Sequence, residues 1–318
     1  MSKLPEADVL TPLLEARLGA PHVARRLQIE AAKEAPRSSA AANVWRTIRR
    51  DTGRFVLGKL LRFTRTRDRG RANLLRVGCN HNRLPIAGLP VSFDGFRILH
   101  ISDPHLDIHD DLAGAIVDRM ASVSSDLCVL TGDFRARTFG SIDRAMQGLR
   151  QLRSAISTDV YAVLGNHDSL RMVPPIEAMG IRLLLNEAVS IERGGARLAL
   201  VGVDDPHYYR TADLPRATRD VAPDETRILL AHSPELFDEA ARMGFQAYLC
   251  GHTHGGQICL PGGYPIWKNA RAPRAYCGGR WQHGQMHGYT SRGSGASIVA
   301  ARFNCPPEIT LHTLTVAG

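Results

Sequence analysis

Short apolar runs separated by polar turns recur along the chain from about residue 90 onward. The six main runs are four to seven residues long and end at Gly, Asp, Asn or His. This length and these terminating residues are typical of buried β-strands. The predicted strands lie at Phe96–Ile101, Leu127–Thr131, Val160–Leu164, Arg197–Val203, Arg227–Ala231 and Ala247–Cys250, with a closing strand near Ile309–Val316.

Helical periodicity fills several of the intervals between these strands. Apolar residues recur at helical spacing over Asp111–Val123, Ser141–Ile156 and Pro234–Met243. The last of these opens with a Ser-Pro-Glu sequence, which supplies a cap, a first-turn proline and an acidic first turn. The alternation of strand, loop and helix predicts a layered α/β domain over residues 90–318.

Two segments that differ from this domain in composition and periodicity precede it. Residues 1–40 are rich in Ala, Glu and Arg and contain four prolines, so we expect a mobile or peripheral arm that adds little to a core. Within residues 41–89, apolar side chains recur at helical spacing from Trp45 to Phe63 and arginines flank them. This second pattern predicts a basic amphipathic helical extension.

Composition fits a globular protein. The chain of 318 residues is 44% hydrophobic and 22% charged, which is enough to bury a sizeable core. No apolar run reaches the ~18–20 residues that cross a bilayer, and the N-terminal sequence does not resemble a cleavable signal peptide. The six cysteines include no CxxC pair, and Cys128 and Cys250 fall in predicted strands. Buried free thiols are therefore favoured over disulfides or a zinc knuckle, and we expect a cytoplasmic protein.

The formal net charge of +9 is concentrated between Val44 and Arg83, which contain twelve Lys or Arg and two Asp. One interpretation is that residues 44–76 lie on an anionic membrane surface, at the inner face of the cytoplasmic membrane. The other is that the apolar stripe packs on the protein's own domain while the arginines are solvated. A nucleic-acid partner is disfavoured because aromatic residues do not alternate with the basic ones, and no pattern indicates a protein partner.

Polar side chains follow the predicted strands at the points where those strands end. In open α/β sheets the carboxyl ends of strands form a common crevice, so residues far apart in sequence can converge there. Carboxylate, imidazole and carboxamide ligands without thiolate suit manganese, iron or zinc. Seven ligands with one shared make two four-ligand sites, which predicts a binuclear centre able to hold a water molecule for attack at phosphorus. Nine residues lie at these strand ends and include the seven candidate ligands: Asp103, His105, Asp133, Asn166, His167, Asp168, His232, His252 and His254.

Two arginines follow the second of these strand ends. Arg135 and Arg137 lie just after Asp133, where a guanidinium group could bind a phosphate or diphosphate in bidentate fashion. The alternative is that both are ordinary loop arginines. We retain them as candidate substrate-binding residues.

Five short segments carry a resemblance to a known family. ISDPHL, LTGDF, LGNHD, AHSP and GHTHGGQ, in this order, resemble the signature blocks of the calcineurin-like metallophosphoesterase superfamily, and the resemblance extends from Phe93 to Gly318. It implies a layered α/β fold, a sandwich of two mixed β-sheets flanked by helices, here preceded by an N-terminal helical extension. The later segments LPGGYP, GYTSRGSGAS and FNCPPEITLHTL narrow the likeness to a bacterial, often membrane-associated branch. That branch includes sugar-nucleotide and lipid A-pathway pyrophosphatases and broad-specificity phosphodiesterases.

The resemblance implies two divalent metal ions, Mn²⁺ in the first place and Fe²⁺ or Zn²⁺ as alternatives. The family's ligand sets fall on Asp103, His105, Asp133 and His254 for one ion and on Asp133, Asn166, His232 and His252 for the other. In such enzymes the residue at His167 is not a ligand but stabilises the phosphoryl oxygens or protonates the leaving group, and Asp168 is placed to orient it through a hydrogen bond. Pro104 departs from the usual Leu but leaves both neighbouring ligands in place.

The sequence therefore predicts a binuclear metal-dependent hydrolase of phosphoester or pyrophosphate bonds. The branch likeness and the basic segment favour a nucleotide-sugar or lipid substrate of the UDP-2,3-diacylglucosamine type. The alternative enzyme is a cyclic-nucleotide or nucleic-acid phosphodiesterase. A non-catalytic scaffold on the same fold is the alternative from another class, and it is disfavoured because every ligand and His167 are present.

Overall fold

Two six-stranded mixed sheets stack face to face in the computed structural model, which describes residues 7–34, 59, 63–64, 66–266 and 269–317. The first sheet has the order β1-β12-β2-β3-β4-β5, with β1 Gly78–Ile86, β2 Arg97–Ile101, β3 Leu127–Leu130, β4 Val160–Ala162, β5 Ile181–Leu183 and β12 Glu308–Val316. All neighbours in it are parallel except β12 and β2.

The second sheet has the order β10-β11-β9-β8-β7-β6, and its four central strands are parallel. Its strands are β6 Glu187–Arg193, β7 Ala196–Gly202, β8 Thr226–Leu230, β9 Ala247–Cys250, β10 Gly279–His283 and β11 Met286–Thr290. β6 and β10 form the two antiparallel edges. The facing sides of the two sheets bury an apolar layer that includes Ile98, Val129, Leu200 and Leu230.

Helices cover the outer faces of both sheets, as expected for strands that are buried on two sides. The described helices are α1 Ala7–Leu18, α2 Ala20–Glu34, α3 Arg67–Leu74, α4 Leu112–Met120, α5 Asp143–Ser154, α6 Val173–Glu177, α7 Leu214–Ala217 and α8 Phe237–Arg242. α4 and α5 pack on the first sheet, and α7 and α8 pack on the second. The predicted α/β sandwich of two mixed sheets flanked by helices is thus confirmed.

The prediction of secondary structure is confirmed where hydrophobic periodicity was strong. All six predicted strands and the closing strand are present, as are the first two predicted helices. The third begins as a 3-10 turn, Pro234–Leu236, and continues as α8. Five further strands, β1, β5, β6, β10 and β11, were not predicted.

Residues 7–34, within the segment predicted as a mobile or peripheral arm, form the helices α1 and α2. Leu14, Leu18 and Val23 are each at most 4% exposed and belong to the apolar core on the outer face of the first sheet. The prolines misled the prediction, since Pro21 lies at the second position of α2, where no backbone N–H is needed for the helix. The N-terminal helices are therefore structural parts of the domain.

The predicted boundary at residue 90 is also wrong. β1 pairs with β12 along nine residues, so the sandwich already begins before the predicted extension ends. Most of the predicted basic amphipathic helix, including Trp45, lies outside the described residues. Within the described part of the basic segment, α3 contacts the C-terminal region through a bond from the Arg302 N–H to the carbonyl of Gly70. Among the helices that the structure describes, none has both the length and the apolar character needed to span a bilayer.

Candidate metal centre

The predicted ligands lie together at one end of the sandwich. β2, β3 and β4 are parallel, as are β7, β8 and β9, and the loops at their C-terminal ends meet between the sheets. A bond of 2.9 Å from the backbone N–H of His252 to Oδ2 of Asp103 joins the two sheets at this point. None of the seven predicted ligands is more than 8% exposed: Asp103, His105, Asp133, Asn166, His232, His252 and His254.

Three of these side chains form a first group. Oδ1 of Asp103 lies 3.4 Å from Nε2 of His254, and Nε2 of His105 lies 3.1 Å from the same nitrogen. The two imidazole rings stack with their centroids 5.0 Å apart. One carboxylate oxygen and two imidazole nitrogens are thus close enough together to surround a single cation.

A second group surrounds His232. Its Nε2 lies 3.3 Å from Oδ2 of Asp133, 3.2 Å from Nδ1 of His252 and 3.1 Å from Oδ1 of Asn166. Asp133 also reaches the first group, because the same Oδ2 lies 3.7 Å from Nε2 of His105. The structure therefore places Asp133 between the two groups, where the predicted bridging ligand belongs.

Backbone carbonyls determine which nitrogens of two histidines face the centre. Nδ1 of His105 lies 2.7 Å from the carbonyl oxygen of Arg135, and Nδ1 of His232 lies 2.7 Å from that of Thr131. Since a carbonyl oxygen can only accept, each Nδ1 carries the hydrogen, and in the neutral ring Nε2 turns its lone pair toward the centre. Metal-binding histidines are commonly oriented in this way, so the residues fit divalent cations.

Electrostatics also favour positive charge in the middle of the centre. Burial acts to raise the pKa of Asp133, but the imidazoles of His232 and His167 hold it well below its usual range. Burial acts to lower the pKa of His232, yet the carboxylate of Asp133 raises it to about 10. A cation would displace that proton and take over the same electrostatic role.

The backbone is strained at most of the ligand positions. Five of the seven have positive φ, a region that residues other than Gly seldom adopt: Asp103, His105, Asp133, His252 and His254. Such strain persists only where the surrounding structure enforces it, and it is concentrated at functional sites. The clustering of five such positions therefore marks these loops as a candidate functional site.

A buried chain of hydroxyl groups supports Asp103, and sequence reasoning missed it. Ser102 Oγ donates to Oδ2 of Asp103 at 2.5 Å, and Thr131 Oγ1 donates to Ser102 Oγ at 2.7 Å. His100 Nε2 lies 2.8 Å from Thr131 Oγ1 and must donate, since that hydroxyl already gives its hydrogen to Ser102. Burial lowers the pKa of His100 to about 3, so the ring is neutral. These residues fix one carboxylate orientation.

His167 lies on the accessible side of the centre. Its Nε2 is 3.9 Å from Oδ2 of Asp133, its ring meets that of His105 edge-on, and its side chain is 18% exposed, well above the predicted ligands. The backbone N–H of His167 donates to Oδ1 of Asp133 at 2.8 Å. The position suits a group that faces a substrate, and the role of His167 stays a prediction.

Asp168 takes a different position from the predicted one. Its carboxylate accepts backbone N–H bonds from Asp133 at 2.7 Å, Phe134 at 2.9 Å and Gly165 at 2.9 Å instead of orienting the ring of His167. The carboxylate points back into the protein because three converging amides compensate its burial. Burial and the charge of Asp133 nevertheless raise the pKa of Asp168 to about 6. Asp168 thus ties together the two loops that carry Asp133 and His167.

The two candidate phosphate-binding arginines differ in the structure. The guanidinium of Arg135 is buried and donates to the carbonyls of His167, Thr138 and Gly140, which corrects the expectation that it is directed at a substrate. Arg137 is exposed on the same loop, and its contact with phosphate stays a prediction. Nothing in the sequence distinguishes the two, because only the folded loop turns one inward.

Two further residues touch the centre from the second sheet's side. The ring of His207 lies 4.2 Å, centroid to centroid, from that of His252, and Glu235 accepts from Nδ1 of His207 at 2.5 Å. Asn269 Nδ2 lies 3.3 Å from Nε2 of His252. The histidine could be suspected from its place in a loop after a strand, but Asn269 had no signal in the sequence.

Comparisons with known proteins agree with this geometry. Residues 96–256 match the family model described as calcineurin-like phosphoesterase, and this segment holds all seven predicted ligands. The metallophosphoesterase YkuE of Bacillus subtilis is 31% identical over 71% of this chain and 81% of its own. The phosphodiesterase YaeI of Escherichia coli is 29% identical over 69% of this chain and 82% of its own. A Bos taurus transmembrane protein with a metallophosphoesterase domain is 30% identical over 74% of this chain and 56% of its own.

Proposed function

The chain belongs to the calcineurin-like phosphoesterase family of metal-dependent phosphoester hydrolases, and from this premise we propose that it cleaves a phosphodiester or diphosphate bond at a binuclear centre. The observation that carries the proposal is the position of Asp133, whose Oδ2 is within 3.7 Å of His105 and 3.3 Å of His232 in the two ligand groups. One shared carboxylate between two imidazole-rich groups suits a pair of ions acting on one phosphate.

The protein's own residues would divide the work as follows. Asp103, His105, Asp133 and His254 would hold one ion and Asp133, Asn166, His232 and His252 the other. When bound, such ions lower the pKa of water and offset charge on the phosphate. His167 would donate to a phosphoryl oxygen or protonate the leaving oxygen, because it is the accessible imidazole beside Asp133. Arg137 would contact the phosphate from the adjacent loop.

For the metal we propose Mn²⁺, with Fe²⁺ and Zn²⁺ as alternatives. The donor set consists of carboxylate and carboxamide oxygens and imidazole nitrogens, which these borderline ions accept. Thiolate, the ligand typical of structural zinc sites, is absent from the described metal-binding groups.

For the substrate we propose a nucleotide-sugar or lipid diphosphate of the UDP-2,3-diacylglucosamine type. Its support is the loop that follows the last ligands, where Leu260, Tyr264 and Ile266 are 50%, 57% and 61% exposed. The same loop returns to the centre at Asn269, beside His252. Large exposed apolar side chains next to a polar site suit an amphiphilic substrate. The second candidate is a general phosphodiesterase, and the relative named as a phosphodiesterase favours it.

The first prediction concerns metal-dependent hydrolysis. Protein stripped of metal and then loaded with Mn²⁺, Fe²⁺ or Zn²⁺ is expected to hydrolyse at least one of UDP-2,3-diacylglucosamine, bis-p-nitrophenyl phosphate, cyclic AMP and single-stranded DNA. Mass spectrometry of the products in ¹⁸O-labelled water should show the label in the phosphate product, because water attacks phosphorus. Absence of turnover with every metal, or turnover that persists after chelation, would reject the proposal.

The second prediction concerns the membrane. We propose that the basic segment 44–76 places the protein on an anionic membrane surface, at the inner face of the cytoplasmic membrane. Replacing Arg46, Arg49 and Arg50 by Glu should weaken binding to phosphatidylglycerol-containing vesicles by about 10²-fold or more, at ~1 kcal/mol for each lost basic group. Vesicle sedimentation measures the effect.

A matched control carries the same charge change elsewhere. Arg144, Arg219 and Arg242 are exposed on the folded domain, with side chains 63%, 72% and 71% accessible, and their replacement by Glu should leave most of the binding intact. Equal loss in both variants would point to net charge alone, and equal sedimentation of all three proteins would reject the membrane proposal.

A further inference from the structure

Arg26, in the N-terminal helix α2, is a fully buried cation next to the loop that carries Asn166 and His167. Its guanidinium donates from Nη1 to Oδ1 of Asp204 at 2.8 Å, from Nη2 to the carbonyl of Asp168 at 3.0 Å, and from Nε to Glu30 at 3.0 Å. All three nitrogens therefore have acceptors. α2 lies outside the segment that matches the family model, so nothing in that match assigns a role to Arg26.

A short chain of contacts leads from Arg26 to the bridging ligand. Arg26 holds the carbonyl of Asp168, and the carboxylate of the same residue accepts the backbone N–H of Asp133 at 2.7 Å. Glu30 makes a second contact between α2 and this loop, because its Oε1 accepts the backbone N–H of Leu170 at 3.0 Å. Helix α2 thus fixes the loop of residues 165–170 at both its middle and its end.

Arg26 also holds a second loop beside the centre. Its guanidinium carbon lies 3.3 Å from the ring centroid of Tyr209, and the Tyr209 hydroxyl donates to the carbonyl of Asp168 at 3.3 Å. Burial acts to raise the pKa of Asp204, but Arg26 and His22 hold it well below its usual range. His207, two residues before Tyr209, packs against the ligand His252. Arg26 therefore contacts both the loop that carries Asp168 and the loop that carries Tyr209, and the two loops lie beside the second ligand group.

We propose that Arg26 is a positioning residue of the metal centre, through which the N-terminal helices set the geometry of the second ligand group around Asn166 and His252. A buried ion pair is weak evidence for stability, since apolar residues of similar volume are often as stable, and it is better explained by a requirement for one geometry. Residues that orient metal ligands commonly change metal affinity or activity by about 10–100-fold when replaced. The activity readout below rests on the proposed hydrolysis, whereas the metal-binding readout does not.

The test compares Arg26→Lys with Arg17→Lys in the full-length protein. Both arginines anchor the N-terminal helices through buried or half-buried ion pairs, but Arg17 bonds Glu177 in α6 and Glu187 in β6, outside the loops that carry the predicted ligands. Calorimetric titration of metal-free protein with Mn²⁺ should show at least one binding step weakened by about 10–100-fold in Arg26→Lys and both steps unchanged in Arg17→Lys. Under saturating metal, kcat should fall by a similar factor for Arg26→Lys alone, at a temperature well below both Tm values.

Tyr209→Phe provides a milder variant in case Arg26→Lys does not fold. It keeps the ring under the guanidinium and removes the hydroxyl that donates to the carbonyl of Asp168, so the same Mn²⁺ step should weaken by a smaller factor. Unchanged Mn²⁺ binding in both Arg26→Lys and Tyr209→Phe would overturn the proposal. So would equal effects of Arg26→Lys and Arg17→Lys on Tm and Mn²⁺ binding. If the wild-type protein hydrolysed no substrate, the calorimetry would still decide the question.

Discussion

Asp133→Asn is expected to lower hydrolysis by about 10³-fold or more while the sandwich remains folded. Asp133 is the carboxylate that lies close to both ligand groups. The neutral Asn side chain should therefore weaken metal binding by both groups. If the ions supply several kcal/mol of transition-state stabilisation, then each ~1.4 kcal/mol lost costs a factor of ten in rate. Steady-state kinetics with saturating Mn²⁺, together with circular dichroism and a Tm measurement, give the result.

Two further variants test whether the loss of activity depends on the position of the replaced residue in the metal centre. His252→Ala removes a ligand from the second group alone and should also abolish turnover. The Nδ1 atom of His252 lies among the ligand atoms of that group, 3.2 Å from Nε2 of His232. Asp110→Ala removes an exposed carboxylate that pairs with Arg144, and it should leave kcat within about twofold, as for surface substitutions. Full activity in a folded Asp133→Asn protein from which metal binding is verifiably lost would mean that the binuclear mechanism is wrong.

Gly251→Ala is expected to damage both stability and activity. Gly251 follows β9 and precedes the ligand His252, and a methyl group on it would overlap Ser102 Oγ and Oδ2 of Asp103. Overpacking of this kind costs about 1–3 kcal/mol of folding free energy, and displacing a ligand by about 1 Å can cost about 10²-fold in rate. Thermal unfolding of the metal-free protein and kcat of the loaded protein measure the two effects separately.

Gly114→Ala is the matched control. Gly114 lies within α4, and the nearest atom that a methyl group would meet is Nε2 of Gln151, at an ordinary contact distance of 3.8 Å. Replacing a helical glycine by alanine where the methyl group meets no close atom should stabilise the fold by about 0.5–1 kcal/mol and leave kcat unchanged. If Gly251→Ala behaved like this control, the packing of β9 against Asp103 would not constrain the metal centre.

The N-terminal helices show a different limit of sequence reasoning. Residues 1–40 carry four prolines and no strong stripe, and we expected an arm from this composition. In the structure, Leu14, Leu18 and Val23 complete the core over the first sheet. Arg17 bonds Glu187, 170 positions away, and Arg26 bonds the carbonyl of Asp168, 142 positions away. Contacts of that sequence separation leave no local periodicity, so only the folded chain reveals them.

The α/β class, many of the buried strands and the candidate ligands could be predicted from the amino-acid sequence. This was possible because buried parallel strands are short continuous apolar runs, and ligands at strand ends keep fixed positions relative to those runs. Asp103, Asp133 and His252 were each found in this way.

The contacts of the polar side chains around the ligands could be found only from the folded structure. The fold turned Arg135 and Asp168 inward onto backbone groups, brought Ser102 and Asn269 to the ligands, and connected α2 to the centre through Arg26. Loop side chains can point either way from the same sequence, and the choice depends on which buried donors and acceptors must be satisfied once the two sheets have packed.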